Sequence, residues 1–408
     1  MLLLLPLAVI ALVIRSKNSP AYRQRLTERL GLLPKTFNSD GIVIHAASVG
    51  EVMAIKPFVD KVINQFPELP ITLTTFTPTG SAQVKKQFSD SVQHCYLPLD
   101  VWPCTYIFLA KLRPKALILM ETELWPNLIA QAKNKQSKLM LINGRLSEKS
   151  FPRYQKLQKL IAPCLARFDK VLAQSQSNLE RLRTIGSPNE ISENSGNIKF
   201  DLNDSEAITN KAEHLAQWLP TNRALWLIAS THDGDEQLAL SAFKQVLNEH
   251  PDTILIIVPR HPERFNLVTA LVKESGLDVQ TRSSEKVIKP ETKVWVLDSL
   301  GELMSAYKLV DIVTIGGSFS SIGGHNPLEP ALYQKPIITG NNMSNFAQIQ
   351  QQMKQADAVL ELHEANNVDT LLAQKVTDLL ANPQRCQQLG LNAYNVVMQN
   401  QGATDVSI

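Results

Sequence analysis

The chain is poor in cysteine and nearly balanced in charge, and both shortages narrow its function. Its four cysteines, Cys95, Cys104, Cys164 and Cys386, form no CxxC pair and no paired metal-ligand spacing. That excludes a disulfide scaffold or a zinc ribbon and reads as reduced, cytosolic, mostly structural thiols. A formal net charge of +3 is too mild for a nucleic-acid-binding surface, so no nucleic-acid partner is expected. No short-period repeat is visible. The amino terminus has no positive charge ahead of its apolar run, no small-residue cleavage site after it and no lipobox cysteine nearby. An exported solute-binding protein would need such a signal.

What is present is a globular chain of 408 residues with 44% apolar and 19% charged content. This is too long for one small core and suits two α/β domains. Met1 to Ile14 is apolar throughout and is followed by Arg15, Lys17, Arg23, Arg25 and Arg29. The run falls short of the ~20 residues that span a bilayer comfortably. We expect residues 1–20 to be a membrane anchor with its basic flank in the cytoplasm, the alternative being a helix buried in the fold.

Unbroken β-branched runs recur between amphipathic segments. In the first half they are Ile42–Ala47, Ile71–Phe76, Ala116–Met120, Lys138–Asn143 and Lys170–Gln174. In the second they are Ala224–Ser230, Thr253–Val258, Val294–Leu297, Ile312–Ile315 and Pro336–Thr339. Such runs suit parallel strands covered on both faces. Strand–helix alternation twice over predicts two doubly wound, Rossmann-like domains, residues 21–203 and 204–408, facing a central cleft. The polar stretch "DLNDSEAITNK", Asp201–Lys211, is the expected linker.

In such sheets ligands sit beyond the carboxyl ends of the strands. "HAASVGE" places Glu51 in the first turn of a helix, where the macrodipole is expected to lower its pKa and keep it ionised as a proton acceptor. Glu121 of "METELWPN" comes directly off a strand end, while Glu123 could be solvated. Lys199 of "SGNIKFD" precedes the linker and could stabilise an anion. "ASTHDGDE" offers Ser230, Thr231 and backbone amides to a phosphate. Its Asp233 and Asp235 imitate a metal-gripping Asp-x-Asp pair but read better as helix-capping residues. Arg260 of "IVPRHPERF" sits at a strand mouth between prolines, which suits phosphate, with His261 as a cap or a packed ring. In "GGHNPLEPALYQKPIITG", Gly323 and Gly324 would allow close backbone approach. Asn326 and Pro327 begin a helix, and Glu329, four residues past His325, could accept hydrogen bonds from a ribose.

Taken in order, "HAASVGE", "ETELWPN", "NGRLS", "GNIKFD", "VPRHPERF", "LGEL" and "GGHNPLEP" resemble the Kdo transferases of lipopolysaccharide assembly, Kdo being 3-deoxy-D-manno-octulosonic acid. The resemblance covers nearly the whole chain after the apolar start. It implies the two-domain GT-B fold and an inverting transfer of Kdo from CMP-Kdo to the lipid A precursor, lipid IVA, without metal or other cofactor. The reaction would occur at the cytoplasmic side of the inner membrane. The resemblance further implies Glu51 as base, and Glu121 and Lys199 as transition-state stabilisers. Pro259, Arg260, Leu300, Gly301, Glu302, Asn326, Pro327, Leu328 and Glu329 would hold the cytidine nucleotide. "HDGDE" stands where the family usually has "HEGEE". The competing reading on the same fold is a transferase or epimerase that uses a UDP-sugar.

Overall fold

The structure is a computed structural model that describes residues 20–363 and 366–408. The apolar run Met1–Ile14, with Arg15 and Lys17, lies outside the described residues. Among the described residues no helix is long and apolar enough to cross a membrane.

The chain forms two compact units, one built from the chain up to Asp201 together with Asn400–Ile408, the other from Leu202–Gln399. The first contains strands β1 (Ile42–His45), β2 (Ile71–Thr75), β3 (Gln93–Tyr96), β4 (Ala116–Met120), β5 (Lys138–Gly144), β6 (Lys170–Ala173) and β7 (Ser192–Asn194). They form one sheet in the order β3-β2-β1-β4-β5-β6-β7, with parallel pairing throughout. The second contains β8 (Leu225–Thr231), β9 (Ile254–Pro259), β10 (Val279–Thr281), β11 (Val294–Val296), β12 (Ile312–Ile315), β13 (Ile337–Thr339) and β14 (Leu360–Glu361). Its order is β10-β11-β9-β8-β12-β13-β14, again all parallel. Every residue of β1, β2, β8, β9 and β12 is buried, as expected where helices cover both faces of a parallel sheet.

All ten strands expected from the sequence are present, with ends shifted by at most two residues. The four that the apolar pattern missed, β3, β7, β10 and β14, are the edge strands of the two sheets. Their sequences, QHCY, SEN, VQT and LE, carry no continuous apolar run.

Three expectations are corrected here. The expected linker is helical in its second half: Glu206–Ala216 is a helix whose cap, Ser205, accepts from the Ile208 amide. The second domain, expected to run to residue 408, ends at Gln399. The cause is local: the buried Asp201 carboxylate accepts the amides of Gly402 at 2.7 Å and Thr404 at 2.6 Å, and Asp405 pairs with Lys61. The third concerns the basic flank, part of which belongs to the fold. Arg29 is 1% exposed. Its guanidinium lies 4.2 Å from the Tyr96 ring and 5.0 Å from the Phe76 ring and donates to the Phe76 carbonyl. Arg25 pairs with Glu28 at 2.7 Å and donates to Ser81 and to the His94 carbonyl.

Asp201 is thus a clasp between two distant parts of the chain. Asp201→Ala leaves the buried Thr404 amide and the half-buried Gly402 amide without an acceptor, at a cost on the order of 1.5–3 kcal/mol. We expect a lower urea midpoint and faster proteolytic clipping within 400–408; an unchanged midpoint would show that the segment is held by other contacts.

Candidate functional site

Near the middle of each sheet the strand order reverses, between β1 and β4 in the first unit and between β8 and β12 in the second. Ligands of open parallel sheets bind at the carboxyl ends of the strands there. The candidate residues fall into two groups, one at each point.

In the first unit, Ser48 caps the helix Val49–Ala54 that follows β1. Glu51 in its first turn is held at both oxygens: Oε2 accepts the Ala47 amide at 2.9 Å and Oε1 the Ser48 hydroxyl at 2.8 Å. The Ser48 hydroxyl oxygen accepts the Glu51 amide in return, a reciprocal cap. The expected lowering of the Glu51 pKa is overturned, and its pKa is raised. Burial is the largest cause, followed by the Glu121 carboxylate, and together they outweigh the two hydrogen bonds. A six-residue helix offers too small a dipole to reverse that balance.

Glu121 directly follows β4 with a left-handed backbone, φ 57°, and its amide donates to the Ile142 carbonyl on β5. Lys199 lies in a short 3-10 turn capped by Asn197. Its Nζ reaches Glu121 Oε1 at 3.4 Å, with both side chains under one-fifth exposed. Structure therefore joins two residues that stand 78 positions apart in the chain. Glu123 is not simply solvated: its Oε2 accepts the Trp125 indole N–H at 2.8 Å and lies 3.5 Å from the buried His45 Nε2. His45 is the last residue of β1, and sequence reading passed over it.

In the second unit, Pro259 ends β9 and Arg260 follows it, exposed. Asn326, Pro327, Leu328 and Glu329 form the entry to a short helix, Leu328–Leu332. Leu328 is buried in the core, Asn326 Oδ1 accepts the Leu328 amide and Asn326 Nδ2 donates to Glu329 Oε1 at 3.3 Å. Burial raises the Glu329 pKa to about 7, opposed by Asn326 and by the nearby Arg260 charge. Leu300 is 59% exposed on the turn before the helix Leu303–Leu309. Gly301 has φ 81°, and Glu302 is anchored by Arg282 at 3.1 Å and by Ser299. Tyr307 of that helix lies within electrostatic reach of Glu329.

Several expectations change. Gly323 and Gly324 do permit close approach, but to their own chain: a Cβ would lie 2.5 Å from Ser344 Oγ and 2.2 Å from Met343 Sδ. The Thr231 hydroxyl donates to the buried Glu236 carboxylate rather than facing solvent. Asp233 and Asp235 do not converge. Asp235 is buried, accepting the His232 and Gly317 amides, with its pKa raised by burial to about 6. Asp233 is exposed and faces Arg264. His261 is exposed rather than packed, its ring 5.4 Å from that of His232. His232 and His325 stack at 5.1 Å with Nε2 atoms 2.9 Å apart. The sequence held one weak hint of this pairing, since His232 directly follows a central strand and His325 lies in the glycine-containing loop after another.

Two all-parallel, doubly wound sheets with polar side chains gathered at their switch points are the GT-B-like fold. A glycosyltransferase from Rickettsia africae shares this fold, with a TM-score of 0.55 and 14% identity over 89% of this chain and 94% of that one. The family model for 3-deoxy-D-manno-octulosonic-acid transferase (kdotransferase) matches residues 24–202. The 3-deoxy-D-manno-octulosonic acid transferase of Haemophilus influenzae is 40% identical over 98% of this chain and 93% of its own length. That of Rickettsia bellii is 31% identical over 99% and 95%. The chain belongs to the Kdo transferase family.

The Glu329 carboxyl has a stability consequence. The folded protein holds its proton more tightly than the unfolded chain does. Its contribution is therefore complete below the ordinary glutamate pKa and is lost as pH rises through about 7. Glu329→Gln removes that loss. The variant should melt above the parent at pH 8.5, with the difference shrinking towards pH 5. A difference independent of pH would contradict the assigned environment.

Proposed function

We propose that this glycosyltransferase moves Kdo from CMP-Kdo to the lipid A precursor lipid IVA, inverting the anomeric centre, with Glu51 as the base. The observation that carries the reading is the state of Glu51. Its carboxylate is fixed at both oxygens and made more basic by burial and by Glu121, as a group that must accept a proton from an attacking hydroxyl requires. The family membership and the names of the relatives support Kdo as the transferred sugar.

In the reaction, the acceptor hydroxyl oxygen bonds to the anomeric carbon and passes its proton to Glu51. The bond from that carbon to the phosphate oxygen breaks, and its electron pair leaves with CMP. A phosphate leaving group needs no strong chemical activation, so positioning and charge carry the rate. Lys199, held beside Glu121, supplies positive charge in the first unit. Arg260 receives the donor phosphate in the second, Glu329 and Asn326 face the ribose, and the Leu300–Glu302 turn and Pro259 border the cytidine. No metal or cofactor is part of this reading.

Glu51→Gln keeps the shape and one hydrogen-bond acceptor but removes the proton acceptor. Turnover should fall ~10²–10⁴-fold while CMP binding is kept, with CMP rather than UDP released from a panel of sugar nucleotides. Near-normal turnover would remove Glu51 from the role, and release of UDP would favour the UDP-sugar reading.

We place the enzyme at the cytoplasmic face of the inner membrane, where an amphiphilic acceptor keeps its acyl chains in the bilayer. With Arg29 buried in the fold, we assign contact to residues 1–14, to Arg15, Lys17 and the exposed Arg23, and to a surface of the first unit. There Leu157 and Leu160, 44% and 55% exposed, stand among the exposed Arg153, Lys156 and Lys159. Apolar contact and charge together can anchor where neither alone does. Deleting residues 1–14 should release the protein from membranes, most clearly at high salt, and leave activity on detergent-dispersed acceptor largely intact. A truncated protein that misfolds would place the run in the core.

A further inference from the structure

At the second switch point His232 follows β8 and His325 follows β12, and their rings lie parallel within 2° with Nε2 atoms 2.9 Å apart. An Nε2···Nε2 hydrogen bond forces one ring to donate there and the other to accept. The donating ring, if neutral, then has a bare Nδ1, and the accepting ring carries its proton on Nδ1. A single proton added to the bare Nδ1 keeps the bond between the rings. It also turns both Nδ1 atoms into donors on one shared cation. Among the described residues neither Nδ1 has a hydrogen-bond partner.

The surroundings are cationic. Arg260, His261 and Arg264, all from the segment after β9, act on His232, and Arg260 and His261 act on His325. The carboxylates at hand are engaged elsewhere. Asp235 accepts the His232 and Gly317 amides, Glu236 accepts Thr231 and Arg264, Asp233 faces Arg264, and Glu329 accepts Asn326. Burial first, then these cations, hold both rings below their ordinary pKa, His325 at about 3. A pair held neutral by burial and by surrounding positive charge is one that a nearby anion would favour protonating.

We infer that the His232–His325 pair is a phosphate-binding element beside Arg260, and that it takes up one proton when the nucleotide's phosphate arrives. The inference rests on the reading that the second unit holds a cytidine nucleotide. A phosphate anion offsets the Arg260 charge that, after burial, acts against a proton on either ring, and the proton that enters comes from solvent. As the bond from the sugar to the phosphate breaks, the phosphate's charge grows from one negative towards two. A cation already in place stabilises that growth without any rearrangement. The pair positions and neutralises the leaving group; it does not donate its proton to it.

Titration calorimetry of the full chain with CMP and with cytidine, in two buffers of different ionisation enthalpy at pH 7.5, tests this. The parent protein should take up about one proton more with CMP than with cytidine, which presents the same ribose to Glu329 but no phosphate. His232→Asn and His325→Asn should each abolish the uptake, weaken CMP about tenfold and leave cytidine unchanged. The parent's proton count needs no variant and so stands even if a substitution impairs folding. CMP binding without proton uptake, or uptake that persists in folded His232→Asn and His325→Asn proteins, overturns the inference while sparing the nucleotide reading. A chain that binds neither CMP nor cytidine overturns the nucleotide reading, and the inference with it.

Discussion

The constraint on which everything else depends is the burial of both faces of two parallel sheets. A strand covered on both sides has no room for unpaired polar groups. The chemistry is therefore pushed to the strand ends, where the backbone leaves the ladder. Glu51, Glu121, His232, Arg260 and the segment leading to Glu329 all follow strands. Several of the polar side chains that remain inside are tied to neighbouring strands: His45 Nδ1 meets Thr74, and the Trp226 indole donates to Thr314.

The same burial sets the electrostatics of the two groups of residues in opposite senses. In the first unit three glutamates share a small volume with Lys199 and His45, so desolvation and like charge make Glu51 more basic. In the second, Arg260 and three histidines gather, and burial with the neighbouring positive charge holds His232 and His325 below their ordinary pKa. On the reading proposed above, one group receives a proton from an acceptor and the other meets a phosphate. Family membership in the Kdo transferases fits that division of labour.

Fold legibility followed burial. Central strands were readable because cover on both faces demands unbroken apolar runs, as in Leu225–Thr231 and Ile254–Pro259. The edge strands β3, β7, β10 and β14 were not, because an edge strand pairs on one side only and tolerates residues such as those of Ser192–Asn194. The helix Glu206–Ala216 was hidden behind a polar, cap-rich start that looks like a linker until Ala212 and Leu215 are seen to be buried.

By itself the sequence determined the class of fold, the strand ends at which the candidate residues stand and, through the order of its motifs, the family. Those are properties of local pattern, and local pattern is written along the chain. Tertiary structure decided which side chains meet: Lys199 with Glu121, Glu123 with His45, His232 with His325, and Asp201 with the amides of Gly402 and Thr404. It also reversed the reading of Glu51 and drew Arg25 and Arg29 into the fold, because a pKa and a buried cation answer to every group packed around them. Neighbours in space are chosen by sheet order and packing, and spacing along the chain does not encode them.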